Sequence, residues 1–268
     1  MNRVWSLRDL RRLAAIAIVV VAAAYVALPL LASTRLVRDS IAVELSQWSG
    51  YRVSIGAAPE IGVWPGFRAK LSNVTLSEWA SADGRPTITI EELELDLSPF
   101  AALRGNVEFS AARFVRPVFY LAKTDAGVKP PSLPLGSRIA LSVMKARAML
   151  ATNPGRPNFA DLPADAFGSV EIVDGAIAAG SSDSHQDLAT DISGTIELPA
   201  LNLPARIVLH GKINAEPISL DIHAGQPLLL LAGGLSQISA SIDSGFLSAS
   251  FDGAFQVDEV IEIGRAHV

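Results

Sequence analysis

Four histidines, His185, His210, His223 and His267, are the side chains best suited to proton transfer or metal ligation near neutral pH. None stands in a His-x-x-x-His or Glu-x-x-His spacing, so no metal centre is expected. With no cysteine in 268 residues, disulfides, thiolate metal sites and a Cys nucleophile are ruled out. Glu92, Glu94 and Asp96 share one face of a strand opposite Leu93, Leu95 and Leu97, a spacing suited to a solvated outer face. Ser181-Ser182-Asp183-Ser184-His185 holds the three residue types of a hydrolase triad. It lacks the Gly-x-Ser-x-Gly elbow, and residues this close in sequence form a polar loop. Gly233-Gly234 has no helix and Lys behind it to cradle phosphate. These residues predict no catalytic, metal or cofactor site, and a protein that is not an enzyme.

Charge narrows the partners. Net charge is −5, and no Lys/Arg cluster occurs beyond the N-terminal flank, which argues against nucleic acid. That flank, Arg3, Arg8, Arg11 and Arg12 within residues 1–12, precedes an uncharged apolar run from Leu13 to Ala32. As a helix rising ~1.5 Å per residue, about 20 residues cross ~30 Å of hydrocarbon. The basic flank puts the N-terminus in the cytoplasm and the bulk of the chain outside. A cleaved signal peptide is the rival. Its apolar core is shorter, and the small-x-small site Ala22-Ala23-Ala24 lies inside a run that continues to Ala32. A single-pass, uncleaved signal anchor is therefore expected. Trp64 and Trp79 flank the strand Phe67–Leu76, either as membrane-interface residues or as caps on a sheet edge.

The rest of the chain must be positioned by sheet. Val37, Ile41, Leu45 and Trp48 recur at helical spacing and Gly50 ends the pattern. The period then becomes two. Arg52–Ile55 is a short strand. Phe67, Ala69 and Leu71 alternate with polar residues, slip at Asn73, and resume with Val74 and Leu76. Ile88 and Ile90 slip against Leu93, Leu95 and Leu97 at Glu91-Glu92. Slips of this kind suggest β-bulges. Strands near Val107 and at Val118–Ala122 complete a first unit over residues 33–122. Residues 123–168 form a linker, with a proline-rich connector and a helix predicted over Ser137–Ala151. A second β unit spans residues 169–261. There Asp174-Gly175 predicts a hairpin turn, and Ile192–Leu198, Ala205–Ile213, Ile218–His223, Ile238–Ile242 and Phe246–Phe255 predict strands. The two units form a weak internal repeat.

The ordered motifs resemble the N-terminal part of the AsmA family, whose relatives include TamB and YhdP. They are Trp48–Ile55 after the anchor, Pro65 before Ala69–Leu76, Ser98–Gly105, Phe114–Leu121 with its internal proline, and Val170–Ile177. Phe100-Ala101-Ala102-Leu103 is a loose version of the family's leucine pair, and the family's Gly-rich Asn-Trp stretch is absent. The resemblance implies a mainly β protein with an N-terminal transmembrane helix, a long curved antiparallel sheet forming a groove, and one or two short helices. It implies an inner-membrane protein with a periplasmic bulk, serving outer-membrane biogenesis by moving phospholipid. The candidate lipid-facing residues are Leu71, Val74, Leu76, Leu93, Leu95 and Leu97. The alternative function is a structural adaptor or assembly factor that binds periplasmic or outer-membrane proteins without carrying lipid. A closed apolar face under the Ser137–Ala151 helix would favour the adaptor, and an open one the lipid carrier. The tail, residues 262–268 (Glu262–Val268), reads as a translated short-read sequencing adapter. The native sequence is expected to leave this one near Ile261, making it a fragment.

Overall fold

Alternation of apolar and polar residues leaves each strand one face to bury, and the chain solves this with a single large sheet. The computed structural model describes residues 35–62, 68–79, 84–97, 109–124, 127–129, 134, 136–152, 162–164 and 166–256. The expected membrane helix Leu13–Ala32, its basic flank, Trp64 and the tail Glu262–Val268 lie outside them, as does the side chain of Leu97. Among the described residues no helix is long and apolar enough to cross a membrane.

Among the described residues the first element is helix α1, Arg35–Ser49. It stops where predicted. Gly50 adopts φ 77°, and its N–H donates to the Ser46 carbonyl at 2.8 Å. The Ser46 hydroxyl also accepts from Val53 N–H at 3.0 Å, fixing the turn from helix to sheet. Among the described residues twelve strands follow: β1 Arg52–Ile55, β2 Glu60–Gly62, β3 Arg68–Ser77, β4 Pro86–Leu97, β5 Phe109–Thr124, β6 Gly127–Lys129, β7 Ala166–Ser181, β8 Ser184–Ala200, β9 Ala205–Ile213, β10 Glu216–Ala224, β11 Ser236–Ser244 and β12 Ser248–Phe255. Helix α2, Arg138–Thr152, separates β6 from β7, and the short α3, Pro227–Leu231, separates β10 from β11. Ser137 caps α2 by accepting from Ala140 N–H at 3.0 Å.

The sheet order is β1-β3-β4-β5-β7-β8-β9-β10-β11-β12, with β2 also on β3 and β6 on β5. Among the described residues every pairing is antiparallel except β5 with β7. An all-antiparallel sheet is thus corrected to a mixed one. Its parallel join is the crossover that α2 makes possible, because parallel neighbours need a long connection. The two β units therefore share one sheet.

Three local expectations also change. Asp174-Gly175 is not a hairpin turn: β7 runs straight through it. The strand expected from Val107 and Phe109 and the one expected at Val118–Ala122 are a single strand, β5, over the described residues, with Val107 outside them. The phase slips at Asn73 and Glu91 are not insertions either. Ser72 pairs with Glu92 and Val74 with Ile90, so the register is continuous across the slip. Asn73 instead adopts φ 54° and both strands change phase together.

Two cores form. In the first, Ile41 and Leu45 of α1 pack on Val53, Leu71, Val74, Ile90, Leu93 and Leu95. In the second, Val143 and Ala146 of α2 meet Leu228 and Leu229 of α3, with Leu162, Leu201 and Phe167.

Candidate functional site

Residues paired across neighbouring strands share a face, so the register can be followed across the sheet. One row reads Leu71, Leu93, Phe114, Ile172, Gly194, Leu209, Leu220, Ile242, Ala249, from β3 to β12. The next reads Ala69, Leu95, Ala112, Val170, Ile196, Ile207, Ile222, Ala240, Phe251. Not one of these residues is polar. The row between them faces the other way: Lys70, Glu94, Arg113, Glu171, Thr195, Val208, Asp221, Ser241, Ser250. One side of the sheet is thus apolar across nine strands, and the other is mostly polar, with Val115, Val173 and Val208 among its charged and hydroxyl residues.

The apolar side is covered unevenly. Over β1 to β5 it lies beneath α1, where Leu71 and Val74 are 0% exposed, Leu95 1% and Leu93 3%. Four of the six candidate lipid-facing residues are therefore core residues, and Leu76 is half-buried against them. Sequence alternation placed them on the correct face but carries no information about which helix folds over it. Helices α2 and α3 cover the ends of β7 and β8 through Phe167 and Leu198. Beyond that neither buried cluster extends. Ile207, Leu209, Leu220, Ile222, Ile238 and Ile242 are all only half-buried, and Phe251 is 47% exposed. These are the open-face residues that sequence reading passed over. Their signal was the same alternation, in strands that had been recognised.

Where covered and open halves meet there is a cavity. Its roof is Leu45, Trp48 and Ser49 of α1, and its floor runs from Val74 and Leu76 through Leu93, Leu95 and Phe114 to Phe167 and Val170. The space between its walls, including the part open to solvent, is about 540 Å³. Trp48 meets Phe167 across it, with ring centroids 4.5 Å apart.

The polar side carries ion pairs. Lys70 Nζ lies 2.8 Å from Glu92, Arg68 Nε 2.7 Å from Asp96, and Arg113 Nε 3.2 Å from Glu171. Arg116 pairs with Glu91 and, through its hydrogen bonds, holds that carboxyl below its usual range. Arg206 does the same for Asp221. Each carboxylate of the Glu92, Glu94 and Asp96 set faces a cation, so the set forms a ladder of ion pairs on the polar side. Ser182 and Asp183 form the β7–β8 turn, with the Ser182 hydroxyl on the Asp183 carboxylate at 3.3 Å. His185 sits beyond the turn, 5.5 Å edge-on from Tyr120 and 3.8 Å from Asp187. His210 bonds Ser219 and His223 lies beside Asp221. Among the described residues no group of three or more potential ligands could hold a metal ion. Trp79 is exposed and lies under the Arg52 guanidinium, 5.1 Å from its ring centroid.

No family model, curated protein or solved structure matches this chain.

Proposed function

We propose that this protein is an inner-membrane-anchored, periplasmic component of outer-membrane biogenesis that carries phospholipid along the apolar side of its sheet. The supporting observation is the pair of apolar rows crossing nine strands, half clad by helices and half bare. A face kept only for folding would be closed along its length, because exposed apolar area costs ~25 cal/mol per Å² in water. A bare apolar strip beside a clad one suits a ligand that presents hydrocarbon and asks for no directional contact. The anchor Leu13–Ala32 and the resemblance to AsmA proteins supply the location and the kind of lipid.

The test is lipid recovery from the full chain purified in mild detergent. Ile222→Asp puts a charge on the bare strip at a half-buried position, so the fold survives and bound phospholipid is lost. Ser241→Asp adds the same charge on the opposite face and retains it. Equal lipid recovery from both variants, or none from the unaltered chain, rejects the proposal.

A second reading, an adaptor that binds periplasmic proteins, draws on one observation. Among the described residues β12 pairs only with β11, and Phe246, Phe251 and Phe255 around it are exposed. A partner strand could add there. Pull-down of a periplasmic protein that survives Ile222→Asp but not a proline at Ser250 would favour this reading.

A further inference from the structure

We infer that the cavity beneath α1 is an end pocket: it receives the methyl end of a single acyl chain whose remainder lies on the bare half of the sheet. The inference rests on the lipid reading and gives that ligand a direction.

The first support is continuity. Leu95, Ala112 and Val170 belong to one row and lie in the cavity wall, and the same row runs on as Ile196, Ile207 and Ile222 over the bare half. In strand order β7 is the last to line the cavity and β8 the first to leave it. A chain lying along this row meets no polar side chain between strip and pocket.

The second is the chemistry of the wall. It contains two hydroxyls. Ser49 is committed, donating to the Leu45 carbonyl at 2.7 Å and accepting from Tyr51 N–H at 3.3 Å. Ser169 pairs with Glu197 in the register and so belongs to the polar side. A peptide would bring backbone N–H and C=O groups with nothing to bond, and a lipid headgroup would fare worse. Hydrocarbon brings neither, so the methyl end enters and the headgroup stays at the far end of the strip.

The third is the aromatic pair. Trp48 comes from the roof and Phe167 from the last floor strand, and their rings touch within the cavity wall, so a chain end in the pocket lies beside them.

Trp48 is also a reporter. With Trp5, Trp64 and Trp79 changed to Phe in the full chain, its fluorescence can be read alone. The probes are stearic acids brominated either beside the carboxylate or near the methyl end. The methyl-end probe should quench most of the Trp48 emission and the carboxylate-end probe little of it. Ala112→Phe, which fills the floor, should abolish that quenching. A parallel reporter, Phe251→Trp in a background where Trp48 is Phe, reads the bare strip. Equal quenching of Trp48 by both probes overturns the end pocket. So does quenching at the Phe251→Trp site with none at Trp48, an outcome that leaves the lipid reading intact. Absence of quenching at both sites overturns both. The comparison of the two probes needs no cavity variant, so it stands even if Ala112→Phe fails to fold.

Discussion

Individual side chains divide sharply between those that hold the sheet and those that face outward. Leu95 is 1% exposed within the core under α1. Leu95→Ala should cost about 2–5 kcal/mol, since the cavity left by a buried leucine collapses only in part. Chemical denaturation of the full chain in detergent measures this. For the same reason a charge at Leu95 would unfold the first unit and say nothing about lipid, whereas Ile222 is placed to answer that question. Tyr51 gives a pH signature. Burial, with Glu78 nearby, pushes its phenol up to about 12. The fold favours the neutral phenol, so its contribution is intact below the unfolded value near pH 10. As pH rises further the unfolded chain ionises first, and stability falls by about 1.4 kcal/mol per pH unit until pH reaches about 12. Denaturation midpoints at stepped alkaline pH should show this slope, and Tyr51→Phe should remove it. Gly168 is a different kind of constraint. Its φ is 95°, and a Cβ there would lie 2.1 Å from the Ser110 carbonyl oxygen, across the parallel β5–β7 join. Gly168→Ala should cost about 2–4 kcal/mol by the same assay.

Strands show a pattern that no single residue reveals. Asn73 in β3, Arg116 in β5, Asp174 in β7 and Asp191 in β8 all have positive φ, between 49° and 55°. The register places Asn73 opposite Glu91 of β4, which is opposite Arg116, which is opposite Asp174. Asn73, Arg116 and Asp174 thus lie on one line across the sheet, with Asp191 of β8 near its end, and all four side chains are exposed. Along β3 the effect is to let Leu71 and Val74 both face the core, which strict alternation forbids. Asn and Asp tolerate this conformation, whereas Arg116 is strained by about 1–2 kcal/mol. Arg116→Gly should relieve that strain. It loses an exposed, solvent-screened ion pair and adds unfolded-state entropy, leaving stability unchanged or raised by up to about 1 kcal/mol from the relieved backbone strain. Asn73→Val should lose about 1–2 kcal/mol. Thermal unfolding of the two variants would separate these outcomes, and equal destabilisation by both would show that the line carries no strain. Element types and most boundaries were legible in the sequence: α1, β1 and β9 fall where periodicity put them, and α2 within a residue. The left-handed line was legible only as phase slips. One residue with φ > 0 and one inserted residue shift the alternation alike, and only pairing partners distinguish them. The Asp174-Gly175 dipeptide misled for the same reason, since its preference for positive φ serves a turn or a re-phased strand equally. The parallel join and the cover of α1 could not be read at all, because both depend on contacts between distant segments.

At the scale of the whole molecule, a helix layer covers β1 to β5 and the ends of β7 and β8, while the strands towards β12 have polar residues and solvent on one side and a bare apolar strip on the other. Backbone pairing runs from β1 to β12, so differences in side-chain burial set much of the difference in local stability. Opening a clad strand exposes an apolar core, and opening a bare one exposes little that is not already wet. Amide hydrogen exchange on the full chain should therefore show protection highest in β3, β4 and β5 and declining through β9 to β12, where the outer edge has no described partner. The same gradient makes ligand binding visible. Hydrocarbon laid on Leu209, Leu220 and Ile242 excludes water from the bare strip, so phospholipid should raise protection in β9 to β11 more than in β3 and β4, whose apolar side α1 already largely covers. If protection is uniform from β3 to β12 before lipid is added, the bare half is closed by something the helix layer does not supply. In that case the apolar rows are core from end to end, and the sheet has no surface left for an acyl chain.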